Sequence, residues 1–284
     1  MTEPLRCETD GRVRVITLTR ADEYNTINPA LRDALGEALD DAERDRAVHA
    51  VLLRAEGPAF CAGYQLDWAT SGQAAADAAP GRVWDSVADV QMIGRYAQTW
   101  AKLHTISKPT IAAVHGWCIA GGTNMVLNAD LIVCSESARF GYPPMRVWGI
   151  PEAPWVWIAR LGLERAKRFL FTGDEILGEE AARLGLVLEC VADDELDAHA
   201  RGLAHRIANL PLEQLQMIKW ALNDTARQMY APEASRMLGS LFDGVARHTQ
   251  EGLDFVSRSV EVGFRQAVRE RDDPFGDYGS RPRS

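Results

Sequence analysis

The clearest chemical signal in the sequence is the stretch 109–124, which reads PTIAAVHGWCIAGGTN. An apolar, β-branched strand over 110–114 runs through a turn into the paired glycines Gly121 and Gly122. A helix signal begins at Thr123, and the first residues of a helix have backbone N–H groups without intrahelical partners. Such N–H groups can hold a phosphate, a carboxylate or a developing oxyanion.

A second segment can supply another donor of the same kind. Residues 58–66 read PAFCAGYQL, and they follow an apolar strand that ends in the turn signal Gly57-Pro58. Two converging N–H donors are what the chemistry of an enolate or of a tetrahedral intermediate on a carbonyl requires. The two segments together therefore predict a site that stabilises negative charge on a carbonyl oxygen.

The elements that must position these segments alternate along the chain. Alternating or continuously apolar runs predict strands at 13–19, 48–55, 110–114, 131–134, 138–140 and 186–191. Helices are predicted from the start signal at 28–29 and at 83–103, 153–161, 164–171 and 179–184, with only helix signals after 193. A low-complexity stretch, 70–82, is predicted to be a surface loop. Repeated β–α–β order predicts a largely parallel α/β core with crossovers, followed by helices from about residue 205.

The composition excludes several function classes. The chain has 31 basic and 40 acidic residues and no basic stripe, which argues against general nucleic-acid binding. Its five cysteines are scattered without CxxC spacing, so neither a disulfide framework nor a structural zinc site is expected. No apolar run approaches the roughly 20 residues of a membrane span, and the first residues have no signal-peptide core. The sequence therefore predicts a cytoplasmic protein that binds no metal, nucleic acid or membrane.

Five sequence blocks carry a family resemblance, while the usual catalytic signatures such as GxGxxG, HExxH and GxSxG are absent. Residues 60–66 read FCAGYQL, and 108–122 read KPTIAAVHGWCIAGG. The blocks ADLI at 129–132 and FGYP at 140–143 follow, and LTRADEYN stands at 18–25. In their order and spacing over residues 11–225, these blocks resemble the enoyl-CoA hydratase/isomerase family, the crotonase superfamily.

The resemblance implies a fold and an assembly. The fold is an α/β, crotonase-like ββα spiral core with a C-terminal helical trimerisation region. The core with its acyl-CoA site would cover residues 1–204, and residues 205–284 would serve oligomerisation and site closure. The implied assembly is a homotrimer or a dimer of trimers, to which the apolar stripe on the C-terminal helices is suited.

The resemblance also implies a site for an acyl-CoA thioester, with coenzyme A as part of the substrate and no permanently bound cofactor. Its oxyanion hole would be formed by the backbone N–H groups of Tyr64 and Gly121. Removal of one such donor typically costs roughly 3–4 kcal/mol of transition-state stabilisation. The coenzyme A moiety would be bound by Glu23, Tyr24, Thr26, Ala62, Tyr64, Gln65, Leu66, Asp67 and Gly121. The Glu23 carboxylate would repel the phosphates of coenzyme A. The positive charge that binds them must therefore come from other residues, and Arg20 and the basic C-terminal residues are candidates.

The sequence departs from the family at the residues that would move protons. Hydratases of the family place two glutamates around the thioester, one to activate water and one to shuttle its proton. Asn124 stands at the first position and Pro144 at the second. Neither side chain exchanges a proton at neutral pH, although Asn124 can hydrogen-bond a water or a substrate hydroxyl. Ordinary two-glutamate hydration is therefore not expected.

A third family position, which carries an aspartate in some isomerases and in a dehalogenase, is occupied by Glu152. Trp148, Trp155 and Trp157 flank this carboxyl group in the sequence. Desolvation by such neighbours would raise its pKa and suit it to act as a base or a nucleophile. The alternative is that Glu152 is an ordinary acidic residue in the first turn of a helix, favoured there by the helix dipole.

Two functions from different classes are compatible with these residues. The first is an acyl-CoA enzyme that carries out isomerisation, atypical hydration or dehydration, or lyase chemistry, with Tyr64, Gly121, Glu152 and Asn124 at its centre. The second is a non-catalytic acyl-CoA-binding member of the fold that keeps the oxyanion corner without the two glutamates.

Overall fold

The computed structural model describes residues 3–65, 72–74 and 83–278. Within these ranges the strands are β1 Leu5–Asp10, β2 Val13–Leu18, β3 Ala50–Ala55, β4 Ala59–Cys61, β5 Thr110–Val114, β6 Trp117–Ile119, β7 Leu131–Ser135, β8 Arg139–Gly141, β9 Ile176–Leu177 and β10 Glu189–Val191. The α-helices are Pro29–Arg44, Ser86–Thr105, Gly121–Val126, Trp155–Leu161, Leu163–Thr172, Gly178–Leu184, Leu196–Ala208, Leu212–Tyr230, Pro232–Arg247, Gln250–Val262 and Phe264–Asp272. Two 3₁₀ turns lie at Ala21–Glu23 and Pro143–Arg146.

The strands form two sheets. The larger sheet has the order β1-β2-β3-β5-β7-β10 and is parallel except for the β1–β2 pair. The smaller sheet has the order β4-β6-β8-β9 and is parallel except for the β8–β9 pair. This architecture confirms the predicted α/β class with a largely parallel core.

From β3 to β8, consecutive strands of the chain enter the two sheets in turn. Strand β3 enters the larger sheet and β4 the smaller one, and β5–β6 and β7–β8 repeat this arrangement. A helix follows each pair, so that the repeating unit is ββα. The second strands of the pairs are only three residues long, which is why periodicity predicted the first strands but neither β4 nor β6.

Alternate residues along the strands of the larger sheet point to opposite faces, and each face packs into its own hydrophobic core. On one face Val15, Leu52 and Ile111 pack under the helix Leu196–Ala208. On the other face Ile16 and Leu53, with their neighbours, pack against the smaller sheet and the remaining helices of the core. Because successive strand residues point to opposite faces, a strand that is covered on both sides reads as continuously apolar, as β3 and β5 do.

Several element boundaries differ from the predicted ones. The helix predicted from Thr123 begins at Gly121, and the helices predicted from 83 and 153 begin at Ser86 and Trp155. The later start at Ser86 has a local cause, since the Asp85 side chain caps that helix by accepting from the backbone N–H groups of residues 87 and 88. The predicted loop at 70–82 lies outside the described residues except for 72–74.

The first helix that lies wholly beyond the predicted division at 204/205 is Leu212–Tyr230. The helix Leu196–Ala208 spans the predicted division at 204/205, and its buried Ala200 and Ala204 pack on the larger sheet. Four further helices follow it, up to Asp272, in the part of the chain that the structure describes. None of the helices in the described ranges combines the length and the apolar character that a bilayer span requires.

Candidate active site

The glycine corner lies where β6 passes into the helix Gly121–Val126. Ala120 precedes this helix at φ 52°, and its N–H donates to Gly141 O at 2.9 Å. Neither glycine has room for a side chain. A Cβ on Gly122 would lie 2.4 Å from Cys61 O, and one on Gly121 would lie 2.7 Å from the Tyr64 ring. Glycine is therefore required here because two loops and a ring approach the backbone closely.

The loop after β4 meets this corner. Gly63, at φ +93°, lies so close that a Cβ there would be 3.0 Å from Ala120 Cβ and 3.6 Å from the Gly121 nitrogen. Ile27 N–H donates to Gly63 O at 2.8 Å, and Gln65 N–H donates to Ile27 O at 2.9 Å. Because this pairing uses the groups on either side of Tyr64, the Tyr64 N–H donates to no described residue. The Gly121 N–H likewise has no acceptor among the described residues. The fold thus brings together the two loops that carry the predicted donors.

Glu152 lies beside this corner and is only 2% exposed. The hydroxyl of Tyr64 donates a hydrogen bond to its Oε1, while its Oε2 has no partner among the described residues. Burial raises the pKa of Glu152 to about 8. The Tyr64 hydrogen bond lowers this pKa, and the nearby Asp243 carboxylate raises it further. The same surroundings raise the pKa of Tyr64 well above its ordinary range. A group poised in this way suits proton transfer near neutral pH.

The structure excludes the alternative role of Glu152 in a helix first turn. The helix begins at Trp155 with Pro154 at its N-cap, and no acidic side chain lies in its first turn. The backbone of Glu152 instead packs against the helix Pro232–Arg247, where a Cβ on Gly239 would lie 2.4 Å from Glu152 O. The first-turn interpretation was therefore wrong. Tertiary packing across the chain, rather than the local helix dipole, determines the environment of this carboxyl group.

Asn124 and Pro144 take different places in the site. Asn124 is 1% exposed and lies near Glu152 and Tyr142, where it favours the ionised form of each and so opposes the rise in their pKa. Its amide nitrogen and oxygen have no hydrogen-bond partner within the described ranges. Pro144 lines the adjacent cavity. At neither position does the chain place a carboxylate, in agreement with the sequence.

A cavity of about 440 Å³ opens in front of Tyr64. Its aromatic walls are Tyr64, Trp84, Tyr96, Tyr142 and Trp148. Tyr96 packs edge-on against Tyr64 with ring centroids 5.3 Å apart. Buried Trp100 packs against Tyr96, Trp117 stacks on Tyr278, and Trp68 lies outside the described residues.

The far wall of the cavity carries charges that sequence patterns did not identify. Arg247 donates to Asp89 at 2.7 Å and to Asp243 at 3.0 Å. Trp84 donates to Asp89 and stacks on His248. The i, i+4 spacing of Asp243 and Arg247 was the available signal, but such pairs usually lie on solvated helix faces. Only the packing of the helix Pro232–Arg247 against the helix Ser86–Thr105 shows that Asp243 and Arg247 line a cavity.

The loop predicted to bind coenzyme A forms a turn near this corner. Tyr24 has φ 52° and a 45% exposed side chain, and its carbonyl accepts from the Ala62 N–H at 3.0 Å. Arg20 donates to Thr26 O at 2.7 Å and pairs with Glu23, and its side chain is only 10% exposed. Because Arg20 is already neutralised and mostly buried, the structure argues against it as the source of positive charge for phosphates.

Other predicted coenzyme A contacts lie in the loop after β4. Gln65 lines the cavity, and its amide oxygen accepts from Arg20 at 3.4 Å. Leu66 and Asp67 lie outside the described residues.

The histidines His104 and His115 lie apart from this site. A ring nitrogen of His115 is hydrogen-bonded to Gly57 O at 2.7 Å. Burial lowers the pKa of His104 to about 4, and its ring packs edge-on against Trp155. Neither is among the described residues that line the cavity. Both are therefore packed, hydrogen-bonded or desolvated histidines rather than site residues.

Comparisons with known proteins agree with this geometry. The model of the enoyl-CoA hydratase/isomerase family matches residues 8–259. The crystal structure of an enoyl-CoA hydratase from Mycobacterium smegmatis superposes with a TM-score of 0.91 at 41% identity, covering 98% of this chain and 96% of that one. A probable enoyl-CoA hydratase of Rhizobium meliloti is 33% identical over 223 residues, 78% of this chain and 81% of its own. The 1,2-epoxyphenylacetyl-CoA isomerase of Escherichia coli is 28% identical over 230 residues, 78% of this chain and 83% of its own. The predicted family and crotonase-like fold are confirmed.

Proposed function

The chain belongs to the enoyl-CoA hydratase/isomerase family, and from this premise we propose that it is an enzyme that processes acyl-CoA thioesters through an enolate. Support for the thioester substrate comes from the names of its relatives, which are enoyl-CoA hydratases and an acyl-CoA isomerase. The thioester carbonyl would lie between the N–H groups of Tyr64 and Gly121. These two donors come from loops in contact, and neither has another acceptor among the described residues.

The observation that carries the proposal is the environment of Glu152. It is a buried carboxyl group with a pKa of about 8, bonded to Tyr64, whose backbone N–H is one of the two proposed oxyanion donors. A base near an enolate-stabilising corner can remove a proton next to the thioester and return it elsewhere. Asn124 and Pro144 replace the hydratase glutamates, so isomerisation, atypical hydration or dehydration, or lyase chemistry is proposed. Asn124 would hydrogen-bond a substrate or water oxygen.

Coenzyme A is proposed to bind as part of the substrate along the loop before Ile27 and the loop after β4. The proposed contacts are those that the family resemblance implies, at Glu23, Tyr24, Thr26, Ala62, Tyr64, Gln65, Leu66, Asp67 and Gly121. The acyl group would occupy the aromatic cavity of about 440 Å³. Aromatic walls favour a compact or aromatic acyl group over a long straight chain.

A homotrimer, or a dimer of trimers, is the proposed assembly, with residues 1–204 as the core and 205–284 as the helical region. Large apolar side chains on these helices are exposed in the single chain, among them Met217, Ile218, Trp220, Leu222, Met237 and Phe242. Many large exposed apolar side chains on neighbouring helices are typical of an interface. Trp220→Glu should lower the mass measured by light scattering. Phe171→Glu, an exposed aromatic outside the region, serves as the matched control.

A panel of acyl-CoA thioesters tests the proposed function. Wild-type protein should turn over at least one of them, and Glu152→Gln should lower its kcat by roughly 10²–10⁴-fold, the usual range for removal of a general base. The second candidate, a non-catalytic acyl-CoA-binding protein, is supported by the absence of both hydratase glutamates. That candidate would be correct if calorimetry detects binding of CoA esters while none of them is converted.

A further inference from the structure

The side chain of Tyr64 lies between the cavity and Glu152. Its ring covers the glycine corner, because a Cβ on Gly121 would be 2.7 Å from Tyr64 Cε2 and 3.0 Å from Cδ2. Tyr64 lines the cavity, whereas Glu152 is 2% exposed and is not among the described residues that line it. A molecule in the cavity therefore meets Tyr64 first, with the carboxyl group behind it.

The two groups are joined by a hydrogen bond with a defined direction. The Tyr64 hydroxyl donates to Glu152 Oε1. The Trp100 side chain also acts on the phenol oxygen and favours its ionised form, which leaves one lone pair of that oxygen available as an acceptor. Tyr96 packs edge-on against the Tyr64 ring and fixes its orientation. The pair therefore has the two parts of a proton relay, an outer hydroxyl and an inner carboxyl group.

The surroundings of the carboxyl group are not those of a structural buried acid. Buried polar atoms of structural residues are nearly always hydrogen-bonded. Within the described residues, Glu152 Oε2 and the amide atoms of Asn124 have no partner at hydrogen-bond distance, although the Asn124 amide is close enough to favour the ionised form of Glu152. Three polar atoms without a partner at hydrogen-bond distance therefore lie in the Glu152–Asn124 pair beside Tyr64, an arrangement that costs stability and that a purely structural site would not keep.

We propose that the phenol oxygen of Tyr64 is the group that exchanges a proton with the acyl group, and that Glu152 acts through it. This inference rests on the proposed acyl-CoA function. The relay starts from the ionised form of Glu152, the fraction of the protein that has lost its carboxyl proton. In the forward step the C–H bond next to the thioester breaks and its electron pair forms the enolate. The proton goes to Tyr64 Oη as the hydroxyl proton goes to Glu152 Oε1. Return of a proton from Tyr64 to another carbon, with Glu152 returning its own, restores both groups, and no oxidant or reductant is needed.

Tyr64→Phe tests this assignment, because it keeps the ring and the backbone N–H and removes only the hydroxyl. The direct measurement is exchange of the α-hydrogen of a bound acyl-CoA in D₂O, followed by NMR alongside kcat and KM. The exchange rate and kcat should fall roughly 10²–10⁴-fold, with KM within about threefold. Tyr230→Phe is the matched control, since Tyr230 is a partly buried tyrosine that is not among the described residues lining the cavity.

Glu152→Gln and the double variant complete the experiment. If the two groups act as a unit, the double variant should be about as slow as either single one. The residual rate of Tyr64→Phe should also lose the inflection near pH 8 that Glu152 gives the wild type. Should Tyr64→Phe fold poorly, 3-fluorotyrosine at position 64 keeps the shape and makes the phenol more acidic, and it should shift the pH profile of exchange.

The outcomes separate this inference from the proposed function. If Glu152→Gln abolishes exchange while Tyr64→Phe stays within threefold of wild type, Glu152 meets the substrate directly and the relay is wrong. An unchanged pH profile with 3-fluorotyrosine would contradict the relay as well. If wild-type protein neither exchanges nor converts any acyl-CoA that it binds, the proposed function itself fails, and the relay fails with it.

Discussion

Replacing Glu152 by glutamine should change how the stability of the protein depends on pH. The folded protein holds this carboxyl group at a pKa of about 8, compared with an ordinary value of 4.5. Between these two values the folded state keeps a proton that the unfolded chain has released. The free energy of unfolding contributed by Glu152 is therefore fully present below about pH 4.5 and is lost as the pH rises through 8.

The magnitude follows from the size of the shift. Each pKa unit corresponds to about 1.4 kcal/mol, so the buried carboxyl group removes in total about 5 kcal/mol on going from low to high pH. Between pH 5 and pH 9 the loss is about 4 kcal/mol. Glutamine has nearly the same shape, accepts the Tyr64 hydrogen bond and cannot ionise. The variant should therefore be close to wild type in stability at pH 5 and several kcal/mol more stable at pH 9.

Urea denaturation at a fixed protein concentration measures this difference. The useful quantity is the stability of Glu152→Gln minus that of wild type at each pH, because most other titrating groups cancel in it. Asp243 and Arg247, the charged groups that most affect this carboxyl group, are present in both proteins. Glu37→Gln, at an exposed position on the helix Pro29–Arg44, should give a difference that does not vary with pH.

A flat difference would refute the reasoning. If Glu152→Gln and wild type differ by the same amount, within about 0.5 kcal/mol, from pH 5 to pH 9, the carboxyl group is not held in its protonated form. The cause assigned to its raised pKa, burial without a compensating cation, would then be wrong. A variant that becomes less stable with rising pH would contradict the sign as well.

Three further substitutions test other contacts. Gly121→Ala should lower kcat at least tenfold in steady-state kinetics, because the new Cβ would lie 2.7 Å from the Tyr64 ring and displace it from the corner; unchanged kcat would contradict this packing. Asn25→Ala should lower the free energy of unfolding, measured by urea denaturation, by about 2–4 kcal/mol. Buried Asn25 donates to two main-chain carbonyls at 2.8 Å, and its backbone has a φ of 52°, which alanine adopts less readily. A loss below about 0.5 kcal/mol would contradict this prediction. Arg146→Met should cost about 3–5 kcal/mol, measured by thermal unfolding, because it removes the buried cation that pairs with Asp277; a neutral effect would show that the pair adds no stability.

Local sequence signals predicted much of the fold. The Asn28-Pro29 start holds in the structure, where the Asn28 side chain accepts from Leu31 N–H at 2.9 Å. Strand β5 occupies the predicted residues 110–114. These predictions are correct because a helix cap or an apolar run depends on neighbours within a few residues. The three-residue strands β4 and β6 were missed because they are held by pairing with distant strands, which leaves little periodicity to read.

In the candidate site, too, features that depend on local sequence were predicted, and contacts between distant residues were not. The glycine corner and the loop around Gly63 could be located from sequence, because both depend on residue types that allow close backbone approach. The relation of Glu152 to Tyr64 could not, because the two are 88 positions apart. The Arg247–Asp89 pair joins residues 158 positions apart and was likewise invisible.

By itself, then, the sequence determined the family and the α/β class, and it located the two loops that the fold brings together; it also predicted that Asn124 and Pro144 stand at the hydratase glutamate positions. These follow from residue identity and local spacing. Only the tertiary structure decided that Glu152 is no first-turn residue, that it lies buried behind Tyr64, and that a C-terminal helix completes the cavity wall. The physical reason is that burial and desolvation are set by packing between distant segments, and they determine which protonation state a carboxyl group adopts.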